Sequence, residues 1–293
     1  MNETYLNEQK FIEALTLSDE YLFEEVLRRN IDITKSLLER IIGITEISEI
    51  EYVDTEVVQT SSKKYKGVRF DVYIKDQDGV AYIVELQRAD TKELPERARY
   101  YQVTADSRQL PKGSNYKDLR DNYVIFICRE DIFGYGLYKY TFENLCHEIP
   151  GLKLDDGTHK IFLNTQGNNG DAPQDVVDFL KLIEGKRKDT PFIQKIENAA
   201  QEIKKNEIWR ERRMQSLVRE QDERERFEKS MKEAVEQGLA QGLQKGIEQG
   251  IEQERLKIIK LGIVNGVDIS TLSLMTGLLF EDIEKIKQDT KTE

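Results

Sequence analysis

The stretch Val68-Arg69-Phe70-Asp71-Val72-Tyr73-Ile74, followed by Val80-Ala81-Tyr82-Ile83-Val84-Glu85-Leu86, decides the expected fold. Both runs are rich in β-branched and aromatic residues, and Asp76-Gln77-Asp78-Gly79 between them has the composition of a tight turn. They therefore predict two antiparallel strands of one hairpin. A three-residue loop with Gly79 in the left-handed conformation would pair residue 75 with 81, 73 with 83 and 71 with 85.

This register would place Asp71 directly opposite Glu85. Opposed residues share a face of the sheet with Cβ atoms about 4.5–5.5 Å apart, and Gln87 follows on that face because side chains alternate. Two carboxylates this close repel each other unless a cation lies between them. Their oxygens suit Mg²⁺ or Mn²⁺, which polarises phosphoryl oxygens and lowers the pKa of bound water. The same spacing also fits two solvated acids on the outer face of a hairpin.

Ordered blocks of sequence extend the pattern on both sides of the hairpin. They are Lys66-Gly67-Val68-Arg69-Phe70-Asp71-Val72-Tyr73, Ile83-Val84-Glu85-Leu86-Gln87, Arg97-Ala98-Arg99-Tyr100-Tyr101-Gln102, Leu110-Pro111-Lys112-Gly113-Ser114-Asn115-Tyr116 and Tyr123-Val124-Ile125-Phe126-Ile127-Cys128, with further blocks at 17–23, 140–143 and 160–164. In this order, over roughly the first two thirds of the chain, they resemble the Rpn-type family of recombination-promoting nucleases and transposases, in the PD-(D/E)XK nuclease superfamily.

The resemblance implies an α/β fold, with a PD-(D/E)XK restriction-endonuclease-like core whose mixed central sheet is flanked by helices. It implies a metal-dependent DNA endonuclease of mobile-element origin that uses Mg²⁺ or Mn²⁺. Asp71 and Glu85 correspond to the two motif acids that bind the metal. Gln87 stands where the superfamily usually has lysine, although the resembled family itself commonly has glutamine there.

The glutamine changes what this position can supply. An amide can hydrogen-bond the attacking water but carries no charge, so the positive charge must come from elsewhere. Arg88 points to the opposite face if the strand continues, which leaves Arg97 or Arg99 on the following helix as candidate phosphate contacts. Either arginine also fits a solvated helix face. A catalytically weak or inactive fold, acting as a DNA-associated or oligomeric interaction module, is therefore the alternative function.

Superfamily sites often add a glutamate from the first helix. The segment from Asp19 to Arg29 predicts such a helix, because its apolar residues form one stripe at helical spacing. Glu24 and Glu25 flank the stripe, and each fits a third metal ligand or a surface residue.

Composition limits the remaining classes. The 293 residues carry a net charge of −11, but residues 61–120 hold 13 basic and 9 acidic side chains, so the motif region is locally basic. DNA affinity depends on such local charge. No signal-type or membrane-spanning apolar run is found, and two isolated cysteines, Cys128 and Cys146, predict a soluble protein of the reducing cytoplasm.

Further elements follow from capping and apolar patterns. We expect helices at about 19–29, 33–42 with caps at Asp32 and Gly43, 95–107, and after Pro173. We expect strands near 47–59, 123–128, 138–142 and 160–163.

The composition shifts beyond residue 188. Residues 195–260 hold 15 basic and 14 acidic side chains and no proline, which favours a long solvated helix. Within it Gly238, Gly242, Gly246 and Gly250 recur every fourth residue, each followed by leucine or isoleucine. The row fits a close helix–helix contact in a coiled-coil homo-oligomer, or a flexible, partly helical extension. The sequence thus predicts a nuclease-like domain (1–190), a charged helical extension (191–256) and a small helical segment (257–293).

Overall fold

A computed structural model describes residues 3–54, 57–58, 68–88 and 92–290. Its centre is a mixed six-stranded sheet in the order β1-β4-β5-β6-β8-β7. The strands are β1 (Ile50–Asp54), β4 (Val72–Asp76), β5 (Ala81–Gln87), β6 (Asn122–Cys128), β7 (Lys139–Phe142) and β8 (Thr158–Asn164), and a separate two-stranded ribbon pairs β2 (Val57–Val58) with β3 (Val68–Arg69). Strands β5, β6 and β8 run parallel, whereas the other neighbours in the sheet are antiparallel.

Helices cover the sheet and continue into a long extension. They are α1 (Glu3–Ala14), α2 (Glu20–Arg29), α3 (Ile31–Ile42), α4 (Leu94–Gln109), α5 (Gln174–Ile183), α6 (Pro191–Lys205), α7 (Glu207–Val264), α8 (Ile269–Thr276) and α9 (Phe280–Thr290), with a 3₁₀ turn at Tyr116–Asp118. This is the expected architecture: a mixed central sheet flanked by helices, with a long C-terminal helix.

Each face of the sheet has its own core because the side chains of a strand alternate between faces. On β5, Tyr82 and Val84 belong to the larger core, which includes residues of α2, α3, α5 and α6. Ala81 and Ile83 belong to a smaller aromatic-rich core under α4. Glu85 and Gln87 share the alternation of Ala81 and Ile83, so they lie toward α4.

The hairpin forms with the predicted loop. Residue 75 pairs with 81 and 73 with 83. Gly79 has φ +84°, and its N–H donates to the carbonyl oxygen of Asp76 at 3.0 Å. Regular pairing ends at Val72 and Val84, one residue before the predicted pair of acids. The first predicted strand is broken there, because the backbone bends at Asp71 between β3 and β4.

Two expectations about helices need correction. Asp32 does not cap α3, because the helix begins at Ile31 and Asp32 lies in its first turn, paired with Lys195. The solvated helix expected for 195–260 begins later, because α6 buries apolar residues in the larger core and Trp209 of α7 lies in the same core. Gly43 ends α3 as predicted, with φ +88°.

The chain divides into two compact units, residues 1–215 and 216–293. In the second unit, the end of α7 packs with α8 and α9 through a small apolar cluster centred on Ile259, Leu272 and Ile283. Across the described ranges, no helix is both long and apolar enough to cross a membrane. The cytoplasmic location stays a prediction.

Candidate active site

The two motif acids meet where the hairpin pairing ends. Glu85 Oε1 accepts a hydrogen bond from the backbone N–H of Asp71 at 2.9 Å. In return, Asp71 Oδ2 accepts from the backbone N–H of Leu86 at 2.8 Å. The side chains thus take over the hydrogen bonds that the ladder would have made. Both acids are buried, at 8% and 2% exposure respectively.

Helix α2 brings two further acids to Asp71. Asp19 caps its start, because the Asp19 side chain accepts from the N–H of Leu22. The first two turns of the helix carry Glu20 and Glu24 one turn apart. Ligand oxygens of Glu20, Glu24 and Asp71 all lie within 4.8 Å of one another. Glu85 is not part of this group. We call Glu20, Glu24 and Asp71 the acid cluster.

Burial makes the charged forms of Glu24, Asp71 and Glu85 costly. Burial, followed by the charge of Asp71, raises the pKa of Glu24 to about 8. The pKa of Asp71 rises to about 7, first through burial and then through the charge of Glu20. Burial and the Asp71 charge also raise the pKa of Glu85 well above its usual value. Carboxylates crowded in this way attract either protons or a cation.

Arg97 of α4 lies on the other side of Glu85. Its guanidinium donates to Gln87 Oε1 at 2.6 Å, to Glu85 Oε2 at 3.2 Å and to the Tyr101 hydroxyl at 2.9 Å. Burial alone would lower the pKa of Arg97, but the bond to Tyr101 and the charge of Glu85 leave it raised. A permanent positive charge is therefore held against Gln87.

The other two candidates from the sequence lie apart from these groups. Glu25 forms ion pairs with Arg28 and Arg29 on its own helix, outside the acid cluster. Arg99 is exposed on α4. The sequence offered Glu24 or Glu25 as a third metal ligand and Arg97 or Arg99 as a phosphate contact. The fold brings Glu24 to Asp71 and Arg97 to Glu85. Glu24 is 6% exposed, so the surface interpretation does not hold for it.

Sequence reasoning missed Glu20 and Tyr101. Both were visible as helical neighbours, because Glu20 precedes Glu24 by four residues and Tyr101 follows Arg97 by four. Residues at this spacing lie on the same helix face. Their approach to Asp71 and Glu85 depends on how α2 and α4 pack on the sheet, which no local pattern gives.

Residues 18–238 match the family model described as PD-(D/E)XK nuclease family transposase. The chain belongs to this family. The match includes the hairpin, α2 and α4, and the mixed sheet with flanking helices is the PD-(D/E)XK fold. No curated protein and no solved structure matched the chain.

Membership in the PD-(D/E)XK nuclease family indicates a nuclease or transposase-like function. Nucleases of this kind generally use divalent metal ions, and the acid cluster could hold one. The donor set fits, because carboxylate oxygens are the ligands that Mg²⁺ and Mn²⁺ prefer. The matched range includes Asp71, Glu85 and Gln87, and their assignment to the family's motif stays a prediction that is taken up below.

Proposed function

We propose that this protein is a metal-dependent endonuclease that hydrolyses phosphodiester bonds of DNA. The observation that carries the proposal is a convergence of acids. The buried Glu24 and Asp71 lie within 4.8 Å of each other and of the exposed Glu20, and the buried Glu85 is hydrogen-bonded to the Asp71 backbone. Burying so many acids is costly unless their charge is compensated. A divalent cation compensates it and suits the chemistry of the family.

Asp71 and Glu24 are our principal candidates for holding Mg²⁺ or Mn²⁺. Glu20 completes the cluster from the exposed side. Glu85 remains a proposed ligand, although it lies outside the acid cluster. Its Oε2 accepts from Arg97 and its Oε1 from the Asp71 N–H. When bound, the cation supplies Lewis acidity toward a phosphoryl oxygen and lowers the pKa of water.

Gln87 and Arg97 together take the role that lysine usually has in the superfamily: Gln87 positions the water and Arg97 supplies the positive charge. The bond from Arg97 to Gln87 Oε1 fixes the orientation of the amide, which can position a water molecule but cannot accept its proton at neutral pH. The Arg97 guanidinium supplies positive charge toward the phosphate in the transition state. Its contacts with Glu85 and Tyr101 hold it at the site.

Plasmid nicking tests the proposal. Wild-type protein should nick supercoiled DNA with Mg²⁺ or Mn²⁺ and not in EDTA, while Asp71→Asn, Glu24→Gln and Glu85→Gln should lose most of the activity. Glu25→Gln is the matched control, because it removes a carboxylate from the same helix outside the acid cluster. Equal cleavage by all variants would identify a contaminant. No cleavage by any would favour the interaction module.

We also propose, from a separate observation, that the extension associates with a second copy of itself. Along α7 an apolar side chain recurs every fourth residue, and all seven are 49–74% exposed: Phe227, Met231, Val235, Leu239, Leu243, Ile247 and Ile251. A four-residue period advances about 40° per repeat around a helix of 3.6 residues per turn. A second copy carries a row of the same pitch, so the two rows can follow each other.

Light scattering tests this association. The mass should correspond to an oligomer and fall toward the monomer in Leu239→Glu/Leu243→Glu. The control Gln237→Glu/Gln241→Glu adds the same charge at exposed positions about 160° around the helix from Leu239 and Leu243. A monomeric wild type, or equal masses for the two double variants, would refute self-association through this row.

A further inference from the structure

A cavity of about 170 Å³ opens beyond the carboxyl ends of the parallel strands. Three consecutive strand ends meet there: the N–H of Arg129 donates to the carbonyl of Gln87 at 3.0 Å, and the N–H of Thr165 to that of Cys128 at 2.9 Å. The lining includes Arg88 after β5, Arg129 after β6 and Thr165 after β8. In open α/β sheets, ligands bind outside the carboxyl ends of the strands.

Two guanidinium groups, of Arg88 and Arg129, are the main donors around this cavity. The Thr16 and Ser18 hydroxyls hydrogen-bond each other at 2.8 Å. One acid opposes the guanidinium groups. Glu184 Oε1 accepts from the Thr165 hydroxyl at 2.7 Å and lies 3.9 Å from Arg129 Nε. Arg88 forms no ion pair with any residue that the structure describes. With two arginines against one glutamate, the net charge of the lining residues is positive.

The size of the cavity favours a small anion. Small-molecule sites usually begin at roughly 300 Å³, well above this volume, whereas a phosphate group with a few waters fits. Arginine is suited to phosphate because its planar fork can donate two parallel hydrogen bonds. A nucleobase or a whole nucleotide would project out of the cavity.

We propose that this cavity binds a phosphate group of the nucleic acid next to the one being cleaved. The proposal rests on the nuclease function above. Gln87 connects the two places, because it lines the cavity beside Arg88 and its amide oxygen accepts from Arg97. A phosphate held by Arg88 and Arg129 would fix the position of the strand relative to Asp71 and Glu85.

Binding without cleavage tests this independently of catalysis. A 12-base-pair duplex with a 3′-fluorescein label, with and without a 5′-phosphate, is titrated by fluorescence anisotropy in EDTA at several salt concentrations. Arg88→Ala/Arg129→Ala should bind at least tenfold more weakly, because each charged hydrogen bond lost typically costs about a factor of ten. Its salt dependence should be shallower, since fewer phosphates are neutralised.

Arg120→Ala is the matched control. Arg120 is exposed and precedes β6, whereas Arg129 follows the other end of the same strand. Weaker binding confined to the 5′-phosphorylated duplex would assign the cavity to a terminal phosphate, and equal weakening of both duplexes to an internal one. If the double variant binds like the Arg120→Ala protein, with the same salt dependence and thermal stability, the phosphate site is refuted. An absence of nicking leaves this test unaffected.

Discussion

Asp71 owes its position to a bend that removes it from the strand. Its backbone N–H binds the Glu85 side chain, and its own carboxylate binds the N–H of Leu86. The side chain is therefore turned toward α2 instead of standing beside Glu85 as a regular strand residue would. The cation site we propose thus lies between the sheet and α2.

The pH dependence of stability tests the acid cluster at the scale of single residues. The pKa of Glu24 is about 8 in the folded protein, against 4.5 as its ordinary value. Between these values the folded state binds more protons than the unfolded one, so stability is greatest at low pH and falls as pH rises. Without metal, unfolding by urea should show a loss from pH 5.5 to pH 8 to which Glu24 contributes on the order of 3 kcal/mol, with further losses of the same sign from Asp71 and Glu85.

Glu24→Gln should reduce this pH dependence, because the amide does not titrate, and the part that remains comes from Asp71 and Glu85, whose pKa values are also raised. Mg²⁺ should restore stability to the wild-type protein at pH 8, where the carboxylates are ionised. A metal-free protein that gains stability from pH 5.5 to pH 8 would contradict the assigned burial of these acids.

Arg97 gives a second prediction for a single residue. Arg97→Ala leaves the buried Glu85 without its cation and releases Gln87, so kcat for nicking should fall about 100-fold. Arg97→Lys keeps the charge but not the forked contacts, so its kcat for nicking should fall about tenfold. Arg99→Ala, on the exposed face of α4, should stay within about twofold of wild type. Equal losses for Arg97→Ala and Arg99→Ala would argue against a specific role for Arg97.

At the scale of elements, the hairpin was predictable because its turn chemistry is local. The aspartates and Gly79 define the loop, the loop defines the register, and the register brings Asp71 to Glu85. The break at Asp71 was not predictable, because it depends on side-chain bonds to Leu86 and on the acids of α2. Likewise, α4 could be located from Pro95, but its packing over Glu85 could not.

Gly79 provides the matching test of the hairpin. Gly79→Ala places a side chain at φ +84°, and its β-carbon would also crowd Arg120, so stability should fall by about 1–2 kcal/mol. Gly242→Ala is the control: it lies in α7 with nothing near the added carbon and should be neutral or stabilising by up to about 1 kcal/mol. Thermal unfolding measures both. A Gly79→Ala protein as stable as wild type would show that the loop tolerates another conformation.

For the whole molecule, the domain limits remain a proposal that truncation can test. The sequence places the end of the nuclease-like domain at 190 because composition changes there. The structure buries Ile193 and Ile196 beyond this point, and Arg213 donates to the buried Asp19 at the start of α2. Contacts between elements distant in sequence leave no signature in local composition, so the sequence alone could not predict that residues after 190 pack on the domain.

A fragment of residues 1–215 should therefore fold, bind metal and nick DNA. A fragment of residues 1–190 should fail to fold, because it exposes the apolar core beneath α6 and leaves Asp19 without Arg213. Circular dichroism and nicking assays of the two fragments provide the comparison. Equal folding and activity in the 1–190 fragment would support the earlier boundary.

Calorimetric titration with Mn²⁺ tests the cation site most directly. Wild-type protein and the Glu25→Gln control should bind the ion with the same affinity, whereas Asp71→Asn and Glu24→Gln should bind at least tenfold more weakly while remaining folded. An absence of Mn²⁺ binding by the wild type, or equal binding by all four proteins, would contradict the acid cluster as the metal site of this nuclease.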